Sequence, residues 1–164
     1  MTASSLMRAT IFPSLAVPLL VLTLSVSEQT LAAGSDDDDK ASQSEYSLAK
    51  QAIKDGDYDV AINKLARLHE EDPEDADVLN LLGYGYRKKG NFDQSRGYYL
   101  QALAIEPKHR GANEYLGELY LETGQLDKAE ERLAVLDKAC WIGCEEYTEL
   151  KESIDKYKTD KGIQ

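Results

Sequence analysis

The chain of 164 residues contains few of the side chain combinations that enzymes use for catalysis. Its two histidines, His69 and His109, are too far apart in sequence to form a metal-binding histidine motif. No nucleophile is accompanied by a recognisable base. The glycines Gly83 and Gly85 lie within a helical pattern, where a missing side chain permits close helix packing and no phosphate-binding turn can form. The sequence therefore predicts a protein that is not an enzyme, with no catalytic or metal-ligating residues and no cofactor.

Basic residues are scarce relative to acidic ones. The chain has 19 lysines and arginines against 30 aspartates and glutamates, a formal net charge of −11. So acidic a protein repels nucleic acid and anionic membrane surfaces, which excludes nucleic acid as the expected partner. Part of the charge is the aspartate run 36–39, and residues 34–42 are predicted to form an acidic flexible linker. The alternative is an acidic docking or metal-collecting tail.

The N-terminus has the pattern of an export signal. Arg8 is the one charge before an apolar run over residues 11–26, and the small residues Ala32 and Ala33 follow. This pattern predicts that residues 1–33 form a cleaved signal peptide, with no membrane insertion afterwards. The alternative is an uncleaved anchor, although the run is shorter than the roughly 20 residues of a spanning helix. No Asn-X-Ser/Thr acceptor occurs, so the predicted location is the periplasm, with an extracellular location as the alternative.

An internal repeat organises the remaining chain. Gly56, Gly90 and Gly124 are spaced 34 residues apart, and each is followed by a polar and then a large apolar residue. Five residues after each glycine stands a small side chain, and four residues later a bulky one, which is helical spacing on one face. Pro73 and Pro107, also 34 apart, close the first two units because proline cannot continue a helix. The period predicts stacked helix pairs.

The repeat resembles that of the tetratricopeptide-repeat (TPR) family, and the middle unit is its best match. The matching residues are Leu79, Leu82, Gly83, Tyr86, Gly90, Ser95, Tyr99, Ala102 and Pro107. The resemblance covers residues 42–141 and implies an all-α fold, a right-handed superhelical solenoid of three TPR helix pairs plus a C-terminal capping helix. It also implies a secreted, periplasmic bacterial protein. The units are 43–74, 75–108 and 109–141, and residues 142–164 form the capping helix and tail.

Seven helices are predicted along the chain. Their bounds are 44–54, 58–70, 75–88, 92–105, 108–122, 126–139 and 145–158. The last helix has Tyr147, Leu150, Ile154 and Tyr157 on one side and charged residues on the other. One apolar and one charged side is what the end of a solenoid needs, because the last repeat has no neighbour to cover it.

The resemblance also implies where a ligand binds, because TPR proteins commonly hold a peptide or helix on the inner curve formed by the first helix of each pair. The residues at those positions are Tyr46, Lys50, Lys54, Asn80, Tyr84, Arg87, Lys88, Glu114 and Glu118. Asn80 and Arg87 resemble part of a clamp that some members use for a C-terminal carboxylate. The clamp is incomplete and Glu118 would repel a carboxylate, which favours a partner segment with charges of both signs. The alternative is that these are ordinary solvated helix faces.

The remaining chemistry lies in Cys140 and Cys144. In an oxidising compartment two cysteines this close are predicted to form a disulfide, with Gly143 suited to the turn between them. The sequence as a whole predicts a non-catalytic protein–protein interaction module that binds a protein or peptide partner in the periplasm. The alternative is a small periplasmic copper-binding or thiol-redox protein that uses this cysteine pair.

Overall fold

The computed structural model of the protein describes residues 35–163, which form seven α-helices and no β-strand. The helices are α1 Ser35–Asp55, α2 Tyr58–Glu71, α3 Ala76–Lys88, α4 Phe92–Ile105, α5 Arg110–Glu122, α6 Leu126–Ala139 and α7 Glu145–Lys161. Except at the start of α1 and the end of α7, the predicted bounds agree to within two residues. The expected all-α solenoid of three helix pairs and a capping helix is confirmed. The predicted signal peptide, residues 1–33, lies outside the described residues.

The two helices of each pair are joined by a turn around one repeating glycine. Gly56, Gly90 and Gly124 have φ angles of 81°, 78° and 74°. Residues with a Cβ atom rarely adopt such positive angles. At Gly90 the glycine N–H donates to the carbonyl of Arg87 at 2.8 Å, and the N–H of Asn91 donates to the carbonyl of Tyr86 at 2.9 Å. The same two bonds recur at the other two turns. This Schellman motif ends the first helix and reverses the chain, so the glycine period sets the helix period.

The helix pairs stack so that the first helices share one surface. Each helix packs on the next one in the chain, and α1 also contacts α3, α3 contacts α5, and α5 contacts α7. We call the surface formed by α1, α3, α5 and α7 the first-helix face. Because these helices belong to successive repeats, residues 34 positions apart are placed side by side on it.

Close packing between helices depends on two glycines inside α3 and α5. A Cβ on Gly83 would lie 2.5 Å from Cε1 of Tyr99, and one on Gly117 would lie 2.6 Å from Cδ2 of Leu150. Tyr99 and Leu150 are both fully buried, so neither has free space into which to move. The expectation that Gly83 serves helix packing is confirmed.

The first helix begins nine residues earlier than predicted. The sequence predicts a flexible linker over residues 34–42, but residues 35–42 form the first turns of α1, and the prediction is wrong there. The helix is tied to α2, because Ser42 Oγ donates to Glu71 Oε2 at 2.9 Å and Glu45 forms ion pairs with Lys64 and Arg67.

The last helix, α7, covers the end of the stack. Leu150 and Ile154 are buried against α5 and α6, and Tyr147 and Tyr157 pack on the same core. Lysine–aspartate pairs one turn apart occupy the solvent side. Among the helices of residues 35–163, none has the length and apolar composition required to cross a membrane.

Candidate functional site

A cleft of about 490 Å³ opens on the first-helix face between α3, α5 and α7. Its lining residues are Arg87, Lys88, Glu118, Leu121, Glu122, Ser153, Lys156, Tyr157 and Asp160. We call it the Arg87 cleft. Three of the predicted binding residues line it, and α7 supplies another wall. The sequence pattern indicates only a capping role for α7, so the contribution of Lys156 and Tyr157 to the cleft was not predicted.

Arg87 is buried at the base of this cleft and carries two ion pairs. Its Nη2 lies 2.5 Å from Oε2 of Glu118 and its Nη1 lies 2.8 Å from Oε1 of Glu122, while 5% of the residue is exposed. The carboxylates of Glu118 and Glu122 therefore occupy the guanidinium positions that a ligand carboxylate would need. Arg87 and Glu118 stand on successive first helices, so the basic second unit and the acidic third unit neutralise each other across α3 and α5.

Tyrosine rings surround the Arg87 guanidinium. Its Cζ lies 5.4 Å from the ring centre of Tyr84 and 5.6 Å from that of Tyr115, and these two rings are 5.0 Å apart. Lys88 places Nζ 5.1 Å from the Tyr84 ring centre. Burial raises the pKa of Tyr84, so its phenol stays neutral at physiological pH. Tyr115 was missed because the equivalent positions in the other units are Leu81 and Ser47, which show no aromatic pattern.

Asn80 lies beneath the N-terminus of α5 and has an unsatisfied oxygen. Only 6% of the residue is exposed, and within residues 35–163 its Oδ1 has no hydrogen-bond partner. A Cβ on Gly111 would stand 2.9 Å from its Nδ2, so the glycine leaves room for the amide. A buried amide oxygen without a partner costs free energy.

Beside Gly111 the first-helix face has a second, polar depression around His109. The imidazole is nearly buried, with Nε2 2.9 Å from Oδ1 of Asp77, while Nδ1 accepts from the backbone N–H of Ala112 at 3.0 Å. Since Nδ1 accepts, Nε2 carries the proton and donates to the aspartate. His109 thus caps α5 and fixes its start against α3.

The first unit contributes one half-buried ring and two exposed cations. Burial raises the pKa of Tyr46 to about 12, with the negative charges of Asp77 and Asp75 adding to the effect. Lys50 is exposed and places Nζ 5.5 Å from the Tyr46 ring centre, and Lys54 is also exposed. Neither lysine lines the Arg87 cleft. The structure thus places these three predicted residues on the first-helix face, one repeat away from Tyr84 and Arg87.

Glu114 does not present a negative charge to solvent. Only 3% of the residue is exposed, and its pKa is raised to about 9, chiefly by burial and also by a hydrogen bond with Glu149 of α7. The charges of Glu118, Glu149 and Glu146 add to the shift. The prediction of an acidic binding residue at this position is corrected, because Glu114 holds a proton at neutral pH and joins α5 to α7.

Cys140 and Cys144 flank the short loop between α6 and α7. Their Cα atoms are 5.6 Å apart and their Sγ atoms are at bonding distance. Gly143, with φ of 86°, makes the turn, and its N–H donates to the carbonyl of Cys140 at 3.0 Å. A carboxylate oxygen of Glu146 lies within 4.8 Å of both sulfurs.

Comparison with known families shows matches over most of the helical region. Two models, both described as tetratricopeptide repeat, match residues 46–84 and residues 86–139. Together they cover more than half of the chain. Among curated proteins, no sequence matches significantly.

Solved structures with a similar fold include several that hold a peptide. The Yersinia enterocolitica type III secretion chaperone SycD, in complex with a peptide of the translocator YopD, is 21% identical with a TM-score of 0.64, over 74% of this chain and 95% of that one. The second TPR domain of human RPAP3, in complex with the HSP70 peptide SGPTIEEVD, is 19% identical with a TM-score of 0.61, over 70% and 96%. The Sgt2 TPR domain from Aspergillus fumigatus is 18% identical with a TM-score of 0.66, over 74% and 80%.

Proposed function

Because the chain belongs to the tetratricopeptide-repeat family, we propose that it is a non-catalytic protein–protein interaction module that binds an extended segment of a partner on the first-helix face. The SycD and RPAP3 structures each contain a bound peptide, which supports a peptide or protein as the ligand. At 21% and 19% identity those peptides do not carry over to this chain. The chemistry of its own cleft decides what it binds.

The Arg87 cleft is the observation that carries the proposal. Leu121 and Tyr157 give it apolar surface, and exposed Lys88 and the exposed ion pair of Lys156 with Asp160 place charges of both signs at its rim. A cleft that combines apolar area with charges of both signs fits a partner segment that also carries both signs. A lone terminal carboxylate fits less well, since it would have to displace Glu118 or Glu122 from Arg87.

A further group on α3 suits the side chains of an extended segment. Tyr84 is half-buried, rigidly held between Tyr58 and Tyr115, and available for stacking. Aromatic anchors lose little entropy on binding, which makes them frequent hot spots.

A charge reversal tests the cleft directly. Lys88 and Lys156 are both exposed, so the double variant Lys88→Glu with Lys156→Glu should keep the native fold. We expect capture of the partner from periplasmic extract to weaken at least tenfold, about 1.4 kcal/mol, because two attractive rim charges become repulsive. Binding can be followed by titrating immobilised chain with the recovered partner.

The matched control is Arg96→Glu with Lys128→Glu, which changes the net charge equally on the second helices α4 and α6. It should alter capture less than twofold, about 0.4 kcal/mol. If the control pair weakens capture as much as the cleft pair, the partner responds to net charge alone and the cleft proposal is wrong.

We further propose that the protein acts in the periplasm, with secretion to the exterior as the alternative. The apolar run over residues 11–26 and the small residues after it support export and cleavage. Intact-mass measurement of the exported protein should show a chain that starts near Ala33. A membrane-bound product of full length would contradict the proposal.

The second candidate function, copper binding or thiol redox chemistry, draws on the cysteine pair. Two thiolates with the Glu146 carboxylate nearby could form a donor set for a soft ion. The proposed oxidising compartment and the turn at Gly143 instead favour a structural disulfide that fixes the angle of α7. Alkylation without reductant should then label neither cysteine, whereas two labelled thiols or stoichiometric copper after purification would favour the second function.

A further inference from the structure

The loop between α6 and α7 displays two large apolar side chains in solvent. Trp141, the only tryptophan of the chain, and Ile142 are each 94% exposed. The other large apolar residues on the described surface reach 44–50% exposure. Burial of a side chain is favourable in proportion to its apolar area, so two large neighbours left fully in water form an unused apolar surface.

The loop holds these side chains away from the core. Cys140 is the C-cap of α6, with its N–H donating to the carbonyl of Leu136 at 2.8 Å, and Cys144 is the N-cap of α7. With the sulfurs at bonding distance and Gly143 in a left-handed turn, three residues span the gap between two helix ends. Such a loop is already ordered, so little conformational entropy would be lost when a partner binds it.

The charges beside the loop are mainly acidic. Asp137 and Glu145 flank it and are exposed, and Glu146 lies 3.8 Å from Arg110. Lys138 is the one cation among residues 137–146. Since the whole chain also carries a net charge of −11, a surface that approaches this loop gains from positive charge.

We propose that Trp141 and Ile142 form a second docking site, which inserts into an apolar pocket rimmed by lysine or arginine on a partner protein. Tryptophan in a closed pocket is a common energetic anchor of interfaces. A second copy of this acidic chain is disfavoured by charge repulsion. A bilayer is disfavoured because two apolar residues flanked by carboxylates give weak anchoring. This site is separate from the Arg87 cleft and does not depend on the function proposed for that cleft.

The test compares capture by three immobilised full chains. Trp141→Gln with Ile142→Gln removes the apolar tip. Leu100→Gln with Ile105→Gln makes the same kind of change on α4, at residues 47% and 44% exposed, and serves as the control. Circular dichroism checks that each variant is folded. We expect the native chain and the α4 variant to retain the same protein from periplasmic extract. The loop variant should retain at least about tenfold less of it.

Competition identifies the loop itself as the recognised element. Added free native chain should release that protein, and added free chain with Trp141→Gln and Ile142→Gln should not. Added salt should weaken retention, as expected for a basic rim. Lys88→Glu with Lys156→Glu should leave this capture unchanged, which separates the outcome from that of the cleft.

Trp141 also reports which kind of surface covers it. Its emission should shift to the blue in the recovered complex and should not shift with phosphatidylcholine vesicles or with increasing concentration of the chain alone. A shift with vesicles would assign the loop to a bilayer, and a shift with concentration would assign it to a second copy. Either result overturns the proposal, as does a loop variant that captures the same proteins as the native chain, or a native chain that captures none.

Discussion

A buried carboxyl at Glu114 that retains its proton couples the stability of the fold to pH. The ordinary pKa of this side chain is 4.5, and in the folded state it rises to about 9. The unfolded chain therefore loses this proton at lower pH than the folded chain does. The stabilising contribution is fully present below pH 4.5 and is lost as pH rises through the interval up to about 9.

Glu114→Gln should remove this dependence. Glutamine has nearly the same shape and carries no titrating proton, so the variant should match the native chain near pH 4.5. At pH 8 we expect the variant to be more stable than the native chain by about 1–2 kcal/mol. At that pH the unfolded native chain is stabilised by releasing the Glu114 proton, whereas the folded native chain keeps it. Urea unfolding of both proteins from pH 4.5 to 9 measures the difference. A difference that does not change with pH would show that Glu114 does not titrate between the two states.

Arg87 illustrates how one side chain organises a surface. Its guanidinium lies against Tyr84 and Tyr115 and pairs with Glu118 and Glu122. Replacing Arg87 would leave the Glu118 and Glu122 carboxylates without their shared cation and would empty the space that the guanidinium fills beside the two rings. Arg87 is therefore unsuitable as a test of ligand binding, because its replacement would disturb the cleft itself.

At the scale of the elements, the approach of α3 to α4 depends on the absence of a side chain at Gly83. Gly83→Ala would place a Cβ 2.5 Å from the fully buried Tyr99 ring, and we expect it to lower the free energy of unfolding by about 1–3 kcal/mol. Gly97→Ala in α4 is the matched control, because a Cβ there meets nothing within 4 Å. The control should raise stability by about 0.5–1 kcal/mol through its helix preference. Thermal or urea unfolding distinguishes the two, and equal effects of the same sign would refute the close-packing role.

The helix ends were predictable because their signals are local. Gly90 ends α3 through a left-handed backbone and two hydrogen bonds within six residues, so its role can be read from the sequence. The start of α1 was not predictable in this way. The contacts of Ser42 and Glu45 with α2 join residues more than 18 positions apart, and local composition suggests a linker.

The burial, ion pairing and protonation of the predicted binding residues depend on contacts between repeats. These properties could not be predicted from the sequence of a single repeat. The sequence correctly placed Lys88 and Glu118 together at one cleft, since equivalent positions of successive units align. It did not show that Glu118 and Glu122 neutralise Arg87, or that Glu149 meets Glu114, because each pair joins different units. Burial of a charge is decided by the neighbouring helix and not by its own periodicity.

At the scale of the whole molecule, the described residues offer two chemically different surfaces. The Arg87 cleft carries charges of both signs around apolar walls on the first-helix face. The loop at Trp141 and Ile142 is an apolar projection beside acidic residues. A solenoid allows this separation because each repeat contacts only its neighbours, so distant surfaces can evolve and bind independently.

The most direct test of the central proposal is hydrogen–deuterium exchange of the chain, measured with and without its partner. The partner to use is the protein that the native chain captures and the double variant Lys88→Glu with Lys156→Glu does not. Bound ligand should slow amide exchange in α3, α5 and α7, which line the Arg87 cleft, relative to the free chain. The second helices α2, α4 and α6 should exchange at unchanged rates. Slower exchange confined to α2, α4 and α6 would place the partner on the opposite surface and contradict ligand binding on the first-helix face.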